Sequence, residues 1–156
     1  MSHEMAFQDL IPDNLCFGCG VQNDAGLKIR SFWDGEESIC TYHPSPHHSA
    51  GPRSYVNGGI LATLIDCHSV CTAIAGEYRR EGRPIGSDPA IWYATRRLEV
   101  EYRRPTPIDQ PIELRARIDE VEGTRTTLRC TVRSGGKVRA EALVVAVRVP
   151  DGWRRD

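Results

Sequence analysis

Hydrophobic residues follow two patterns along the chain, one typical of a helix and one typical of strands. The longest apolar stretch, Ile60 to Ala75, is rich in Ala, Leu, Ile and Cys, and its length and composition favour a helix. The stretch is apolar on nearly every side, so we expect this helix to be buried. Residues 76–90 contain three glycines and two prolines, which predicts a loop.

The other apolar segments are shorter and are separated by turn residues, as expected for strands. Residues 97–102 alternate between apolar and charged side chains, which is typical of an antiparallel strand with one buried face. A short helix is expected over residues 5–12, and loops are expected over 13–26 and 44–56. Two strands, one buried helix and four strands joined by tight turns indicate an α+β architecture. The predicted strands are Leu27 to Trp33, Ser38 to His43, Ile91 to Tyr102, Ile112 to Val121, Thr124 to Arg133 and Lys137 to Val149.

Length and charge narrow the class of protein. The 156 residues fit one domain, 1–156, with residues 1–26 as an N-terminal extension. A net charge of -1 with 26% charged residues gives no reason to expect nucleic acid as a partner. No apolar run approaches the ~20 residues that span a bilayer, and residues 1–10 lack the apolar centre of a signal peptide. We therefore expect a soluble cytoplasmic protein with no membrane partner.

The cysteines raise the question of a metal site. A domain of this size needs no disulfide framework, and a reducing compartment is the simpler interpretation. Cys16-x-x-Cys19 could be half of a zinc site, with His43, His47 and His48 as further ligands. The chain has no second Cys-x-x-Cys, and the three histidines lie in a loop without ligand spacing. The expectation is therefore no metal and no redox cofactor.

Asp66 is the main candidate for chemistry, because a carboxylate inside a buried helix is costly unless it is paired or hydrogen-bonded. It could act as a general base or a nucleophile, or it could be a structural carboxylate bonded to a neighbour. His68 is ~200° away around the helix, which favours a packed core histidine over a partner of Asp66. The face that carries Asp66 is lined by small side chains: Ala62, Thr63, Ser69, Val70 and Ala73.

Three segments resemble a known family. Residues 51–66, with the sequence GPRSYVNGGILATLID, resemble the signature of hotdog thioesterases of the phenylacetate-degradation type. In that signature a His-Gly-Gly opens the central helix and an acidic residue follows nine positions after the His. Asn57 occupies the position of the His, and Asp66 occupies that of the acid. Residues 102–107 (YRRPTP) are similar to a Tyr-x-Arg-Pro strand end of the superfamily, and residues 16–27 resemble an N-terminal segment of some members.

The resemblance implies a hotdog fold, an antiparallel sheet of about six strands wrapped around one long central helix. It also implies an acyl-CoA thioesterase in which the Gly58 N–H polarises the thioester carbonyl. Asp66, expected to come from a neighbouring subunit, would activate water or attack directly. Thr95 would place the water, unless it is an ordinary strand threonine. Asn57 could orient the participants but could not serve as a general base.

The residues themselves suggest where the substrate would bind. Gly59 would allow close approach of the substrate, and Ser69 and Val70 would line the path of the acyl chain. Arg103 and Arg104, at the end of the strand that holds Thr95, could bind the CoA phosphates, although a solvated strand edge is the alternative.

The assembly is expected to be a homodimer or homotetramer.

Two functions other than a thioesterase stay open at this point. An acyl-thioester dehydratase or hydratase would need a histidine with an acidic partner, for which His68 is the candidate. A non-catalytic acyl-CoA-binding module needs no carboxylate chemistry, so Asp66 separates it from the thioesterase.

Overall fold

A computed structural model of the protein describes residues 4–11 and 13–153. It confirms the α+β architecture, with one long helix and six strands. Residues 1–3 and 154–156, at the ends of the predicted domain, lie outside the described residues, as does Pro12 at the end of the predicted N-terminal helix. The elements are a 3₁₀ helix Phe7–Leu10, β1 Phe32–Asp34, β2 Glu37–Tyr42, a 3₁₀ helix Pro46–His48, α1 Gly58–Arg80, β3 Tyr93–Tyr102, β4 Ile112–Glu122, β5 Arg125–Ser134 and β6 Lys137–Arg148.

The six strands form one antiparallel sheet in the order β1-β2-β4-β5-β6-β3. Side chains on β5 alternate between buried and less buried positions, because successive residues of a strand point to opposite faces of the sheet. The buried face packs on α1 and forms one continuous core. The sheet therefore wraps around the helix and leaves β3, beside the helix, at one edge.

The helix is longer than predicted. It continues to Arg80, five residues beyond Ala75, so the loop expected from residue 76 begins only after Arg80. Gly76 signals a loop in the sequence but is buried inside α1. A Cβ at this position would lie 2.5 Å from Cδ1 of Ile118 on β4, so the glycine allows helix and sheet to pack closely.

The first strand is shorter than predicted, because residues 27–31 hydrogen-bond to the N-terminal segment instead of the sheet. The N–H of Leu27 donates to Phe17, and that of Ile29 donates to Gly18. Lys28 has φ 55°, a left-handed conformation that interrupts an extended strand. Only Phe32–Asp34 pair with β2.

Among the described residues, α1 is the one helix long and apolar enough to cross a membrane by length and composition. Most of this helix is buried inside the fold. A core helix enclosed by a sheet has these properties without a membrane, so this finding is weak evidence for a span.

Candidate active site

The first turn of α1 leaves one backbone donor without a partner. Oδ1 of Asn57 accepts hydrogen bonds from the N–H groups of Gly59, at 2.7 Å, and Ile60, at 3.2 Å. Asn57 therefore acts as an N-cap, which accounts for an asparagine at this position. Across the described residues, no acceptor lies against the Gly58 N–H, as expected at the start of a helix. Gly58, rather than Gly59, can bind an oxygen that develops negative charge.

Tyr102 lies beside Gly58, and sequence reasoning did not assign it a role of its own. Its hydroxyl donates to the Gly58 carbonyl at 2.6 Å, and its ring lies 3.6 Å from the place of a Gly58 Cβ. Tyr102 thus holds the end of β3 against the start of α1. The signal in the sequence was its place in the YRRPTP segment.

A cavity of about 290 Å³ opens at this corner of the fold. Thr106 lines it with a buried hydroxyl that has no hydrogen-bond partner among the described residues. Arg104 contributes an exposed side chain, so the cavity offers a cation on the same wall as Gly58. Its lining is Val56, Gly58, Leu61, Tyr102, Arg103, Arg104, Pro105 and Thr106.

Two turns along α1, Asp66 pairs with Thr95. The Thr95 hydroxyl donates to Asp66 Oδ1 at 2.6 Å, and the carboxylate is half-buried on the side of the helix next to β3. Burial raises the pKa of Asp66 above its ordinary value, and the Thr95 hydrogen bond opposes this shift. A raised pKa suits a group that must accept a proton near neutral pH.

Gly58 and Asp66 are too far apart to act on one carbonyl within one chain. Eight residues of helix separate them, or ~12 Å at 1.5 Å per residue. A thioester carbonyl seated on the Gly58 N–H would need the attacking group within ~3.5 Å of its carbon. Within one chain, the Gly58 N–H and the Asp66 carboxylate therefore cannot act on the same carbonyl.

The predicted acyl-binding residues occupy different environments. Gly59 is exposed and Val70 is half-buried on the open side of the helix. Ser69 is fully buried and lies beside Cys130 of β5. Its hydroxyl opposes the rise in the pKa of Cys130 that burial causes. The structure thus does not bring Ser69 to the surface beside Asp66, because the curved sheet covers that side of α1.

The two predicted CoA-binding arginines also differ. Both are exposed, and both backbone N–H groups donate to the Arg139 carbonyl. The Arg103 guanidinium pairs with Glu101 and Glu141, each at 2.9 Å. Arg104 forms no ion pair with the described residues, so its charge is the more available of the two for a phosphate.

His68 is a structural core residue. It is fully buried, with Nδ1 2.8 Å from the Ser31 hydroxyl and Nε2 3.0 Å from that of Ser38. Gln8 donates to Ser31, which leaves the Ser31 proton for Nδ1. Thr72 donates to the His68 carbonyl and accepts the Ser38 proton, so Nε2–H donates to Ser38. Both ring nitrogens of neutral His68 are therefore used inside the core.

We predict that His68 makes folding sensitive to acid. Burial among hydroxyls lowers its pKa from 6.5 to about 4, so the neutral form is favoured in the folded state. The associated stability is present above pH 6.5 and is lost as the pH falls towards 4, about 3 kcal/mol in all. Denaturant unfolding of wild type and His68→Gln should show a steeper loss for wild type in this window. Equal slopes would contradict the prediction, and His47→Asn, at an exposed histidine, is the control.

Three cysteines gather where the N-terminal loop meets α1. The sulfur atoms of Cys16, Cys19 and Cys67 all lie within 4.8 Å of one another. His47 and His48, which a zinc site with the Cys-x-x-Cys would need, stack on each other instead, and no histidine joins the three sulfurs in the part of the chain described.

Comparisons with known proteins agree with this fold. Residues 54–141, more than half of the chain, match the family model of the thioesterase superfamily. The chain therefore belongs to the thioesterase superfamily, and its fold is the hotdog fold.

Individual relatives are more distant. Acyl-coenzyme A thioesterase THEM4 of Xenopus laevis is 26% identical over 115 residues, which cover 72% of this chain and 46% of the relative. THEM4 of Bos taurus is 24% identical over 120 residues, which cover 76% of this chain and 44% of the relative. The chain thus spans about half the length of the curated relatives it matches.

Solved structures match over most of the chain. A thioesterase superfamily protein from Shewanella loihica PV-4 superimposes with a TM-score of 0.63 and 30% identity, covering 78% of this chain and 91% of that one. The PaaI protein of the phenylacetic acid degradation operon of E. coli gives a TM-score of 0.64 at 12% identity, covering 80% of this chain and 82% of that one. At that identity, the second match supports the fold alone.

Proposed function

We propose that the protein hydrolyses an acyl-CoA thioester to a free acid and CoA at a site shared between two chains. The observation that carries this proposal is the half-buried Asp66, held by Thr95 and with a raised pKa, on the same helix as the unbonded N–H of Gly58. Membership of the superfamily supports the reaction class, and the THEM4 relatives support an acyl-CoA substrate.

The proposed reaction uses the Gly58 N–H of one chain and the Asp66 carboxylate of the other. The thioester oxygen accepts a hydrogen bond from the Gly58 N–H, which stabilises the charge that develops on it. Asp66 takes a proton from a water molecule positioned by Thr95, and the water oxygen bonds to the carbonyl carbon. Collapse of the intermediate breaks the C–S bond, and the CoA sulfur leaves with the proton held by Asp66. Direct attack by the carboxylate, followed by hydrolysis of the resulting anhydride, uses the same groups.

The cavity beside Gly58 is the proposed entrance for CoA. The Arg104 guanidinium can pair with a phosphate, because no carboxylate among the described residues engages it. Arg103, already bridged to Glu101 and Glu141, would be less important for binding. We also propose a cytoplasmic location, where the six free cysteines stay reduced.

Edge pairing of β3 would join the two halves of the site. This strand carries Thr95, beside Asp66, and Tyr102, beside Gly58. If two β3 strands pair antiparallel about a two-fold axis near Leu98, Thr95 of one chain stands opposite Tyr102 of the partner subunit. Asp66 of one chain then approaches the helix N-terminus of the other.

We therefore predict a homodimer, or a dimer of dimers, whose activity depends on assembly. Light scattering should show at least two chains per particle. Specific activity should fall on dilution, in parallel with dissociation. A stable monomer with full activity per chain would contradict the shared site.

Thr95 should tune the pH dependence of the reaction. Its hydrogen bond lowers the pKa of Asp66, so Thr95→Val, which keeps the branched shape, should raise that pKa. Because the base must be ionised, the acid limb of kcat/KM should move to higher pH, while the plateau falls by less than in an Asp66 variant. Thr95→Ser keeps the hydroxyl and should retain the wild-type limb. Identical profiles for Thr95→Val and wild type would remove the positioning role.

The function itself is tested by thiol release across acyl-CoAs of graded chain length, with wild type and Asp66→Asn side by side. Turnover by wild type and its loss in the variant would support the thioesterase. Tight acyl-CoA binding without turnover by wild type would favour a binding module. Addition of water to an enoyl-CoA would favour a hydratase, although His68 is committed to the core and offers that reaction no base.

A further inference from the structure

The thiol cluster that Cys16, Cys19 and Cys67 form has the dimensions of a metal site. The Sγ atoms of Cys16 and Cys67 are 3.6 Å apart, and all three sulfurs lie within 4.8 Å of one another. A tetrahedral zinc ion with Zn–S bonds of ~2.3 Å separates its sulfur ligands by ~3.8 Å. The three sulfurs can therefore reach one ion with small side-chain adjustments.

A fourth cysteine, Cys71, lies next to this cluster but outside the group of three sulfurs that all lie within 4.8 Å of one another. Cys71 follows Cys67 by one helical turn on α1, and residues four apart share a helix face. Its side chain is buried, and we take it as the candidate for the fourth ligand. The loop pair has two residues between its cysteines and the helix pair has three, within the two to four usual for structural zinc sites. The sequence has no second Cys-x-x-Cys, but Cys67 and Cys71 on the helix take the place of one.

The loop is built to hold its cysteines against the helix. A Cβ on Gly18 would overlap Sγ of Cys67 and lie 2.9 Å from Cγ2 of Thr63. Only glycine lets the backbone between the two loop cysteines come this close to α1. The Asn14 amide donates to Sγ of Cys19 at 3.4 Å, and its oxygen accepts from the Cys16 N–H at 2.9 Å. An N–H donor to a sulfur is the outer contact that stabilises a metal-bound thiolate.

We propose that Cys16, Cys19, Cys67 and Cys71 bind one structural zinc ion that fastens the N-terminal loop to the central helix. Binding replaces the thiol protons with Zn–S bonds and releases those protons to solvent. All four positions are protein thiols, so the site is closed and has no place for substrate. Its ligand Cys67 directly follows Asp66 in the sequence, so the ion would fix the loop against the helix next to the proposed catalytic carboxylate.

The test is the metal content of protein produced in zinc-supplemented medium and purified without chelators. Elemental analysis should find about one zinc per chain in wild type. Cys16→Ser, Cys19→Ser and Cys67→Ser should each lose most of it. Cys40→Ser, at a buried cysteine on β2 outside the cluster, should keep it. These readouts do not depend on thioesterase activity.

A second measurement uses the wild-type chain alone, in case the serine variants fold poorly. Metal-free wild type titrated with Co²⁺ should develop thiolate-to-cobalt charge-transfer absorption and the intense visible bands of a tetrahedral site, saturating at about one ion per chain. The proposal would be overturned if purified wild type contained no zinc and metal-free wild type developed no cobalt absorption bands. Equal zinc in wild type and the cluster variants would also overturn it, as would a Cys16–Cys67 disulfide in the freshly purified protein.

Discussion

Asp66→Asn is expected to lower kcat by ~10² or more, the scale of losing a positioned base. The amide has the shape of the carboxylate and can still accept the Thr95 hydroxyl, so the local geometry is retained. It cannot take a proton from water or attack the thioester. KM should change little, because the acyl chain and CoA are bound elsewhere. Steady-state kinetics on the best acyl-CoA give both values.

The same variant should fold at least as well as wild type, which separates loss of chemistry from loss of structure. Burial raises the pKa of Asp66, so keeping it ionised in the folded state costs free energy at neutral pH. Asparagine removes this cost, and the gain should disappear as the pH falls through the raised pKa. A variant that hydrolyses acyl-CoA at nearly the wild-type rate would leave Asp66 as a structural carboxylate.

Gly58→Pro is expected to lower kcat by ~10² to 10³, the cost of removing one donor to the developing oxyanion. Proline lacks the N–H but is well accepted at the first position of a helix. Asn57, the residue before it, has φ -58° and ψ 134°, an extended conformation that precedes proline readily. The variant should therefore remove the donor without unfolding α1.

Gly58→Ala is the matched control, because it keeps the N–H. Its Cβ would lie 3.6 Å from the Tyr102 ring, an ordinary contact, so any loss should be small compared with that of the proline variant. Kinetics on all three proteins would contradict the assignment if proline and alanine had equal effects. Near wild-type activity of the proline variant would do the same.

Much of the fold follows from local patterns in the sequence. Alternation of apolar and charged residues located β3, and the apolar run located α1. Gly76 misled the prediction of the helix end, because its role is set by Ile118, which is distant in the sequence. The strand expected at Leu27 was replaced by backbone pairing to Phe17 and Gly18, a tertiary contact that no local pattern encodes.

The positions of site residues could be predicted from the sequence where they depend only on the angle between residues around α1. The ~200° separation around a helix placed His68 away from Asp66, and the structure puts it in the core. Ser69 was misplaced because the angle around the helix does not show how far the sheet extends over it. The meeting of Cys67 with the loop cysteines depends on the path of the N-terminal segment, which periodicity does not reveal.

The most direct test of the shared active site combines the two inactive variants in one oligomer. Asp66→Asn and Gly58→Pro chains with different affinity tags are co-expressed, and the mixed dimer is isolated on both tags. One of its two sites receives an intact Gly58 and an intact Asp66, so the mixed dimer should recover about half of the wild-type thiol-release rate. Each variant alone should stay nearly inactive. A mixed dimer as inactive as its parents would contradict a site formed by Gly58 of one chain and Asp66 of the other.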